Sequence, residues 1–133
     1  MQNVAVLSLH TSPLAQPGSG DSGGMNVYVR ELASALGQAG VECTVYTRRT
    51  HALQPDVVHV EPGFRVVHIT AGALELAKED LPNVLTEFGD KVMQYLRGEY
   101  PADVVHANYF LSGIVAHRIK HEMNIPFAVT FHT

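Results

Sequence analysis

The stretch between residues 4 and 28 constrains the fold of this chain more than any other. Its beginning, Val4 to Leu9, is an apolar run that predicts a buried strand, and a helix is predicted to open near residue 25 or 26. The loop between them contains two prolines and four glycines. Glycines let backbone N–H groups approach a ligand closely, and a helix N-terminus adds unpaired donors with a partial positive charge. The stretch therefore predicts an anion site, most often for phosphate; a simple turn with Asp21 and Ser22 capping the helix is the alternative.

Beyond this stretch, strand-like and helix-like patterns alternate along the chain. Further strands are predicted at residues 41–47, 64–69, 103–108 and 127–132, and helices at residues 25–39, 79–98 and 111–123. A short β-like run at 57–60 precedes the third strand. The alternation indicates an α/β fold, a Rossmann-like doubly wound parallel sheet with right-handed crossovers. Its strands are expected in the spatial order third, second, first, fourth, fifth.

The composition fits one globular domain and argues against two kinds of partner. The chain has 133 residues, of which 46% are hydrophobic and 17% charged, and its formal net charge is −4. No basic run is longer than Arg48-Arg49, so a nucleic-acid surface is not expected. No apolar run approaches the roughly 20 residues that span a bilayer, and no basic leader precedes the first strand, so we expect a cytoplasmic protein.

The single cysteine and four histidines are predicted to be structural. Cys43 lies in a β-like run with nothing nearby to lower its pKa, so we expect a buried, inert thiol. The histidines predicted to be surface or packing residues are His59, His68, His117 and His121.

Polar residues follow three of the predicted strands at the carboxyl edge of the sheet. His10 follows the first strand, residues 106–109 end the fourth, and His132-Thr133 end the fifth. A doubly wound sheet binds its ligand in the crevice outside this edge, here expected beside the first and fourth strands. These residues therefore mark the predicted site.

Three kinds of chemistry remain open at such a site. The histidines at 10, 106 and 132 could bind zinc or iron, but they lack a tight ligand spacing, so we expect neither a metal nor a cofactor. Residues 18–23 match G-x-G-x-x-G, yet eight residues separate them from the strand, and Thr47-Arg48-Arg49 stands where the ribose-binding acid of a nicotinamide dinucleotide site is expected. Donors beside a phosphate-binding backbone suit sugar transfer from a nucleotide diphosphate, because stabilising the leaving phosphate is the main electrostatic task.

The segment SLHTSPLAQPGSGDSGGMNVYVRELASALGQAGVECTVYTRR resembles the start of retaining glycosyltransferases of the GT-B fold, the mycothiol-pathway D-inositol-3-phosphate glycosyltransferases and their sucrose-phosphate synthase relatives above all. The likeness continues through HITAG, LAKEDLP, VVHANYFLSG and IPFAVTFHT. It implies that residues 1–133 are the N-terminal, acceptor-binding lobe of a two-lobed enzyme, truncated at its C-terminal end. The implied reaction needs no metal and no protein nucleophile from this lobe. The donor is a nucleotide-diphosphate sugar, with UDP-GlcNAc as a candidate, and the acceptor is a small phosphorylated polyol or sugar such as inositol phosphate.

The resemblance also implies which residues bind the substrates. His10 and the residues from 21 to 26 are implied to contact the acceptor, and residues 16, 17 and 24 to lie at the donor. Lys78, Tyr109 and Thr133 are implied to hold the acceptor phosphate. The full implied set is His10, Gln16, Pro17, Asp21, Ser22, Gly23, Gly24, Met25, Asn26, Lys78, Tyr109 and Thr133.

One position departs from the pattern of the mycothiol enzymes. They have His-Ser-His-Tyr where this chain has His106-Ala107-Asn108-Tyr109, so that Asn108 replaces the second histidine. Asparagine orients a hydroxyl but does not take up a proton near neutral pH. His10 and Asn108 are thus the candidates for orienting the acceptor, no catalytic residue is assigned, and transfer to another sugar phosphate is an alternative.

An alternative of another functional class is a non-catalytic fragment that binds a ligand or partner. The bare edge of the fifth strand predicts self-association into a homo-oligomer.

Overall fold

The chain forms a mixed sheet with helices on both faces. The computed structural model describes residues 2–15 and 23–131. The strands are β1 (Asn3–Leu7), β2 (Glu42–Arg48), β3 (Val57–Glu61), β4 (Phe64–Ile69), β5 (Val104–Asn108) and β6 (Phe127–Thr130). The helices are α1 (Gly23–Gln38), α2 (Leu85–Arg97) and α3 (Tyr109–Met123), with a 3-10 helix, Lys78–Val84, directly before α2. None of the helices in the described ranges has the length and apolar character needed to cross a bilayer.

The order of the strands is β3-β4-β2-β1-β5-β6. β1 pairs in parallel with β2 on one side and β5 on the other, and β2–β4 and β5–β6 are also parallel. The order predicted for the five parallel strands is therefore confirmed. The short run that the sequence did not assign to the sheet is β3, which pairs antiparallel with β4 and becomes an edge strand.

Two hydrophobic cores fix the helices on opposite faces of the sheet. On one face α1 packs on the strands through Val29 and Ala33, both fully buried. On the other face α2 contributes Phe88 and α3 contributes Ile119, also fully buried. Burial of each large apolar side chain stabilises the fold by about 1.5–3 kcal/mol. Because successive strand residues point to opposite faces, these cores also determine the strand register.

The segment before α2 differs from its prediction. The sequence predicts a continuous helix from 79 to 98, whereas Lys78–Val84 forms a 3-10 helix and the α-helix begins at Leu85. Pro82 lies within the 3-10 helix and has no N–H to donate to an α-helical turn. Leu81 and Val84 are buried, so packing guides the path of this segment where regular hydrogen bonding is interrupted.

The predicted structural thiol and one of the predicted structural histidines are both in the interior. Cys43 in β2 is fully buried beneath α1, and burial raises the pKa of its thiol to about 12. His68 in β4 is buried as well, with its Nδ1 2.7 Å from Pro55 O, and burial lowers the pKa of its imidazole. Both predictions are confirmed: neither side chain lines the cavity described below.

The two edges of the described sheet differ in their protection. β3 has an irregular register between His59 and Glu61, which disturbs the regular ladder that a further strand would need. β6 has no charged residue, and no other described strand covers its outer edge. Regular, uncharged edge strands are the ones that pair with other chains.

We expect the 133-residue chain to self-associate through β6, and Ala128→Lys to weaken this association. Ala128 is an exposed residue of β6, so a lysine there places charge beside the edge without disturbing the core. Sedimentation velocity over a concentration series measures the effect. Ala35→Lys adds the same charge at an exposed position of α1 and should leave the association unchanged. A wild-type chain that stays monomeric at the highest concentration would contradict the prediction.

Candidate functional site

A cavity of about 460 Å³ opens at the carboxyl edge of the sheet, beside the ends of β1 and β2. The residues that line it are Leu9, His10, Thr11, Ser12, Ala15, Thr47, Arg48, Thr50, Leu76, Lys78 and Leu81. Among the described residues, the lining supplies two cations, one imidazole and four hydroxyl groups, and no carboxylate. Such a lining suits an anion that also carries hydroxyl groups.

A hydrogen-bonded turn after β1 places His10 at the wall of the cavity. Ser8 Oγ donates to Thr11 O at 2.5 Å, and Leu9 N donates to Ser112 Oγ of α3 at 3.1 Å. Both serines are fully buried, so water does not compete for these bonds. The turn thus ties the end of β1 to α3.

Tyr109, the first residue of α3, lies against His10. Their ring centroids are 5.1 Å apart and the ring planes meet at 59°. The φ angle of Tyr109 is 73°, in the left-handed region that non-glycine residues rarely occupy. Such a conformation costs about 1–3 kcal/mol and is concentrated at functional sites. The passage from β5 to α3 therefore stores strain at the residue whose ring contacts the histidine of the cavity.

Arg48 connects the cavity to the segment that precedes Lys78. This arginine, the last residue of β2, donates through Nε to Ala71 O at 2.7 Å and through Nη2 to Ala73 O. A single guanidinium therefore binds two carbonyl groups of the segment after β4. Since Lys78 follows this segment, Arg48 helps to determine where the lysine enters the cavity.

Helix α2 holds the same segment from the other side. Glu87 accepts a hydrogen bond from Gly72 N at 2.8 Å, and Lys91 donates to Thr70 O at 2.7 Å. Gly72 has a φ of +71°, and a Cβ at this position would lie 2.6 Å from Val84 Cγ1, so a side chain does not fit. The hydrogen bond from Gly72 is the main cause that lowers the pKa of the Glu87 carboxyl, and Lys91 adds to it.

The structure brings together three of the residues that the resemblance implies, and it places Asn108, the candidate for orienting the acceptor, at the end of β5. His10 and Lys78 line the cavity, and Tyr109 adjoins it through His10. Asn108 is fully buried, and its Nδ2 lies 3.4 Å from Leu7 O, to which it donates. Its place at the end of β5 holds this strand to β1, and its suggested part in orienting the acceptor stays a prediction.

The residues implied at the start of α1 lie apart from these. Asn26 is buried, and its Nδ2 donates to Ala15 O at 2.7 Å. It lines a second groove, of about 630 Å³, beside α1, and Ala15 alone of the described residues lines both spaces. Gly23 begins α1, Gly24 is exposed, and Met25 packs beside the core on the α1 face.

Several predicted features lie outside the described residues. They are Gln16, Pro17, Asp21, Ser22, His132 and Thr133, together with the G-x-G-x-x-G match up to residue 22. Within residues 2–15 and 23–131, no group of three His, Cys, Asp or Glu side chains is arranged to hold a metal ion. His106 is instead placed with its Nε2 2.8 Å from Thr130 Oγ1 of β6.

Arg48 is the functional candidate that sequence reasoning missed. The sequence offered it only as a replacement for a ribose-binding acid, one of two adjacent arginines after an apolar run. The sequence feature that could have identified Arg48 is its place at the end of a predicted strand, at the edge where a doubly wound sheet binds its ligand. The structure separates the pair: Arg48 lines the cavity, whereas Arg49 bonds to Thr70 Oγ1 and pairs with Asp56.

Sequence comparison agrees with this architecture. The profile of the family described as "Glycosyl transferase 4-like domain" matches residues 23–133. The chain is 47% identical over 138 residues to the D-inositol 3-phosphate glycosyltransferase of Pseudarthrobacter chlorophenolicus, covering 100% of this chain and 32% of that protein. It is 50% identical to the enzyme of the same name from Jonesia denitrificans, covering 98% of this chain and 31% of that protein. The chain belongs to the glycosyl transferase 4-like domain family and spans about a third of the length of these relatives.

Solved structures show the same fold. Sucrose-phosphate synthase from Thermosynechococcus elongatus, a GT-B enzyme, superposes with a TM-score of 0.94 at 34% identity, over 100% of this chain and 33% of that one. The catalytic domain of starch synthase IV from Arabidopsis thaliana superposes with a TM-score of 0.68 at 14% identity, over 99% and 34%, and shares the fold. The predicted Rossmann-like fold and its relation to GT-B glycosyltransferases are confirmed.

We expect Glu87→Gln to destabilise the chain at neutral pH, and the difference from wild type to disappear in acid. The pKa of Glu87 is lowered in the folded state, so its contribution is complete above the ordinary glutamate value of 4.5 and is lost as the pH falls through the folded value. Urea denaturation at pH 7 and pH 3 measures the difference. Glu31→Gln, at an exposed position of α1, is the control. A difference that persists unchanged at pH 3 would contradict this electrostatic origin.

Proposed function

We propose that this chain is the acceptor-binding part of the N-terminal lobe of a retaining glycosyltransferase. The proposed reaction moves a sugar from a nucleotide-diphosphate sugar, with UDP-GlcNAc as the leading candidate, to a small phosphorylated polyol such as inositol phosphate. A cytoplasmic location belongs to the same proposal. The observation that carries it is the cavity at the carboxyl edge of β1 and β2, which combines two cations with hydroxyl groups and has no carboxylate among its described lining residues.

The chemistry of the cavity matches such an acceptor in two ways. The ammonium of Lys78 and the guanidinium of Arg48 supply charge-assisted donors for a phosphate group. The imidazole of His10 and the hydroxyls of Thr11 and Ser12 can exchange hydrogen bonds with the hydroxyls of a polyol. The names of the two curated relatives above support inositol phosphate as the first acceptor to test.

A second acceptor follows from the structural comparison. Sucrose-phosphate synthase superposes on the whole chain at 34% identity. Asn108 also stands where the mycothiol enzymes carry a second histidine. A sugar phosphate such as fructose 6-phosphate is therefore the alternative acceptor. The alternative from another functional class is a non-catalytic fragment that binds a ligand without turnover.

Product analysis with the full-length polypeptide that contains this chain tests the proposal. UDP-, ADP- and GDP-sugars are each offered with inositol phosphate, fructose 6-phosphate and their unphosphorylated forms. Products are identified by mass spectrometry and their anomeric configuration by NMR spectroscopy. Transfer to inositol phosphate with retention at the anomeric carbon is the expected result. Transfer only to fructose 6-phosphate would favour the alternative acceptor. No transfer with any pair would contradict the proposed activity and leave the binding fragment.

We expect Lys78→Ala in the same polypeptide to weaken binding of the phosphorylated acceptor by about 10- to 100-fold, because it removes a charge-assisted hydrogen bond. The unphosphorylated acceptor should bind as it does to wild type. Calorimetric titration with both forms measures the two affinities. Lys120→Ala, at an exposed position of α3 where Nζ donates to Asn124 Oδ1, is the matched control. An equal loss for both forms of the acceptor would refute the assigned function of Lys78.

A further inference from the structure

Arg48 is a buried cation without a carboxylate partner in the described part of the chain. The residue is 6% exposed, and its hydrogen bonds go to two backbone carbonyl groups, Ala71 O and Ala73 O. Burial lowers the pKa of its guanidinium. An arginine stays protonated even so. The fold therefore holds a full positive charge at a residue that lines the cavity.

Other partly buried arginines of the described chain are neutralised. Arg49 pairs with Asp56, Arg65 pairs with Glu42, and Arg118 pairs with both Asp90 and Glu122. Removing a charge from water costs free energy unless an opposite charge or a full set of hydrogen bonds replaces the water. Arg48 is the most deeply buried of the four and the one with no carboxylate partner among residues 2–15 and 23–131.

The position of Arg48 indicates what supplies the missing charge. Nε and Nη2 are engaged with the carbonyls, and Nη1 makes no hydrogen bond to any described residue. Arg48 lines the same cavity as Lys78, and Thr47 and Thr50, which carry hydroxyl groups, line it as well. A buried guanidinium that bonds carbonyl groups and no described carboxylate, at the lining of a cavity, is completed electrostatically by an anionic ligand.

We propose that Arg48 binds the anionic group of the ligand directly through Nη1, while its other two nitrogens hold residues 71–73 so that Lys78 reaches the same anion. The proposal deepens the proposed function, on which it rests for the nature of the ligand: a phosphate group. This phosphate could belong to the acceptor or to the nucleotide donor. Arg48 thus serves both as a ligand-binding residue and as the support of the second cation.

A consequence for stability follows from this arrangement. Without ligand, the uncompensated charge of Arg48 lowers the stability of the fold; with ligand, the anion removes this cost and adds its own binding free energy. Phosphate should therefore raise the melting temperature of the wild type more than it raises that of a variant in which residue 48 is neutral. A residue that only held the segment 71–73 would change the starting stability and leave the increment unchanged.

The test compares Arg48→Gln and Arg48→Lys with wild type in the full-length protein, with Arg97→Gln at an exposed position of α2 as control. Inorganic phosphate, inositol phosphate and UDP are titrated calorimetrically, and thermal unfolding is followed with and without each. We expect Arg48→Gln to lose about 10-fold or more in affinity for phosphate and most of the thermal increment. Arg48→Lys should retain part of both, and Arg97→Gln all of both. A loss confined to inositol phosphate and inorganic phosphate assigns Arg48 to the acceptor, and a loss confined to UDP and inorganic phosphate assigns it to the donor.

A folded Arg48→Gln protein that binds all three probes like wild type would overturn the proposal. If this variant does not fold, the test uses wild-type protein labelled with 15N-arginine. The guanidinium signal of Arg48 is identified as the one missing from the spectrum of Arg48→Lys. This signal should shift when phosphate is added. Phosphate binding without such a shift overturns the proposal equally. Sugar transfer is not measured here, so the proposed reaction and the proposed site can fail separately. If Lys78→Ala loses phosphate binding and Arg48→Gln does not, the proposal for Arg48 is wrong and the proposed function of the chain still stands.

Discussion

Parallel pairing of β1 on both sides is the constraint on which the site depends. The backbone ladder to β2 and β5 leaves no freedom in the relative heights of these strands, so all three end at the same edge. The turn after β1, the arginine that ends β2 and the strained tyrosine after β5 are neighbours for this reason, although more than 90 residues separate the first from the last. The site carries charged and hydroxyl side chains, yet it is assembled by the backbone hydrogen bonds of an almost wholly buried strand.

Charge then organises what the sheet has brought together. The segment after β4 has no regular structure between Thr70 and Ala77, and its path is determined by cations that donate to its carbonyls and by Glu87, which accepts from Gly72. Arg48 approaches from the sheet and Lys91 from α2. The conformation of this segment is therefore tied to the same guanidinium that we propose as a ligand-binding group.

The order of the parallel strands was predictable because strands alternate with helices along the sequence. Right-handed crossovers between such strands allow few strand orders in the sheet. The sequence did not place β3, since a short run of β-branched residues contains no information about its partner or direction. It also joined the 3-10 helix to α2, because the apolar spacing of Leu81 and Val84 fits either kind of helix. His10 and Tyr109 were found from their places at the ends of predicted strands, and the family resemblance added Lys78. Arg48 was not found, because a charged residue at a strand end reads alike whether it is solvated or buried, and only tertiary packing distinguishes the two.

Cys43 gives this fold an intrinsic reporter. It is the single cysteine of the chain, lies fully buried on the face of β2 that α1 covers, and has a thiol with a raised pKa, so a thiol reagent modifies it only after α1 has separated from the sheet. The rate of modification therefore measures how often α1 separates from the sheet in the native ensemble, and no spectroscopic label has to be introduced. A ligand bound at the carboxyl edge stabilises the closed state and slows the reaction. The rate at which the Cys43 thiol is modified therefore reports whether ligand occupies the cavity, although no cysteine lines that cavity.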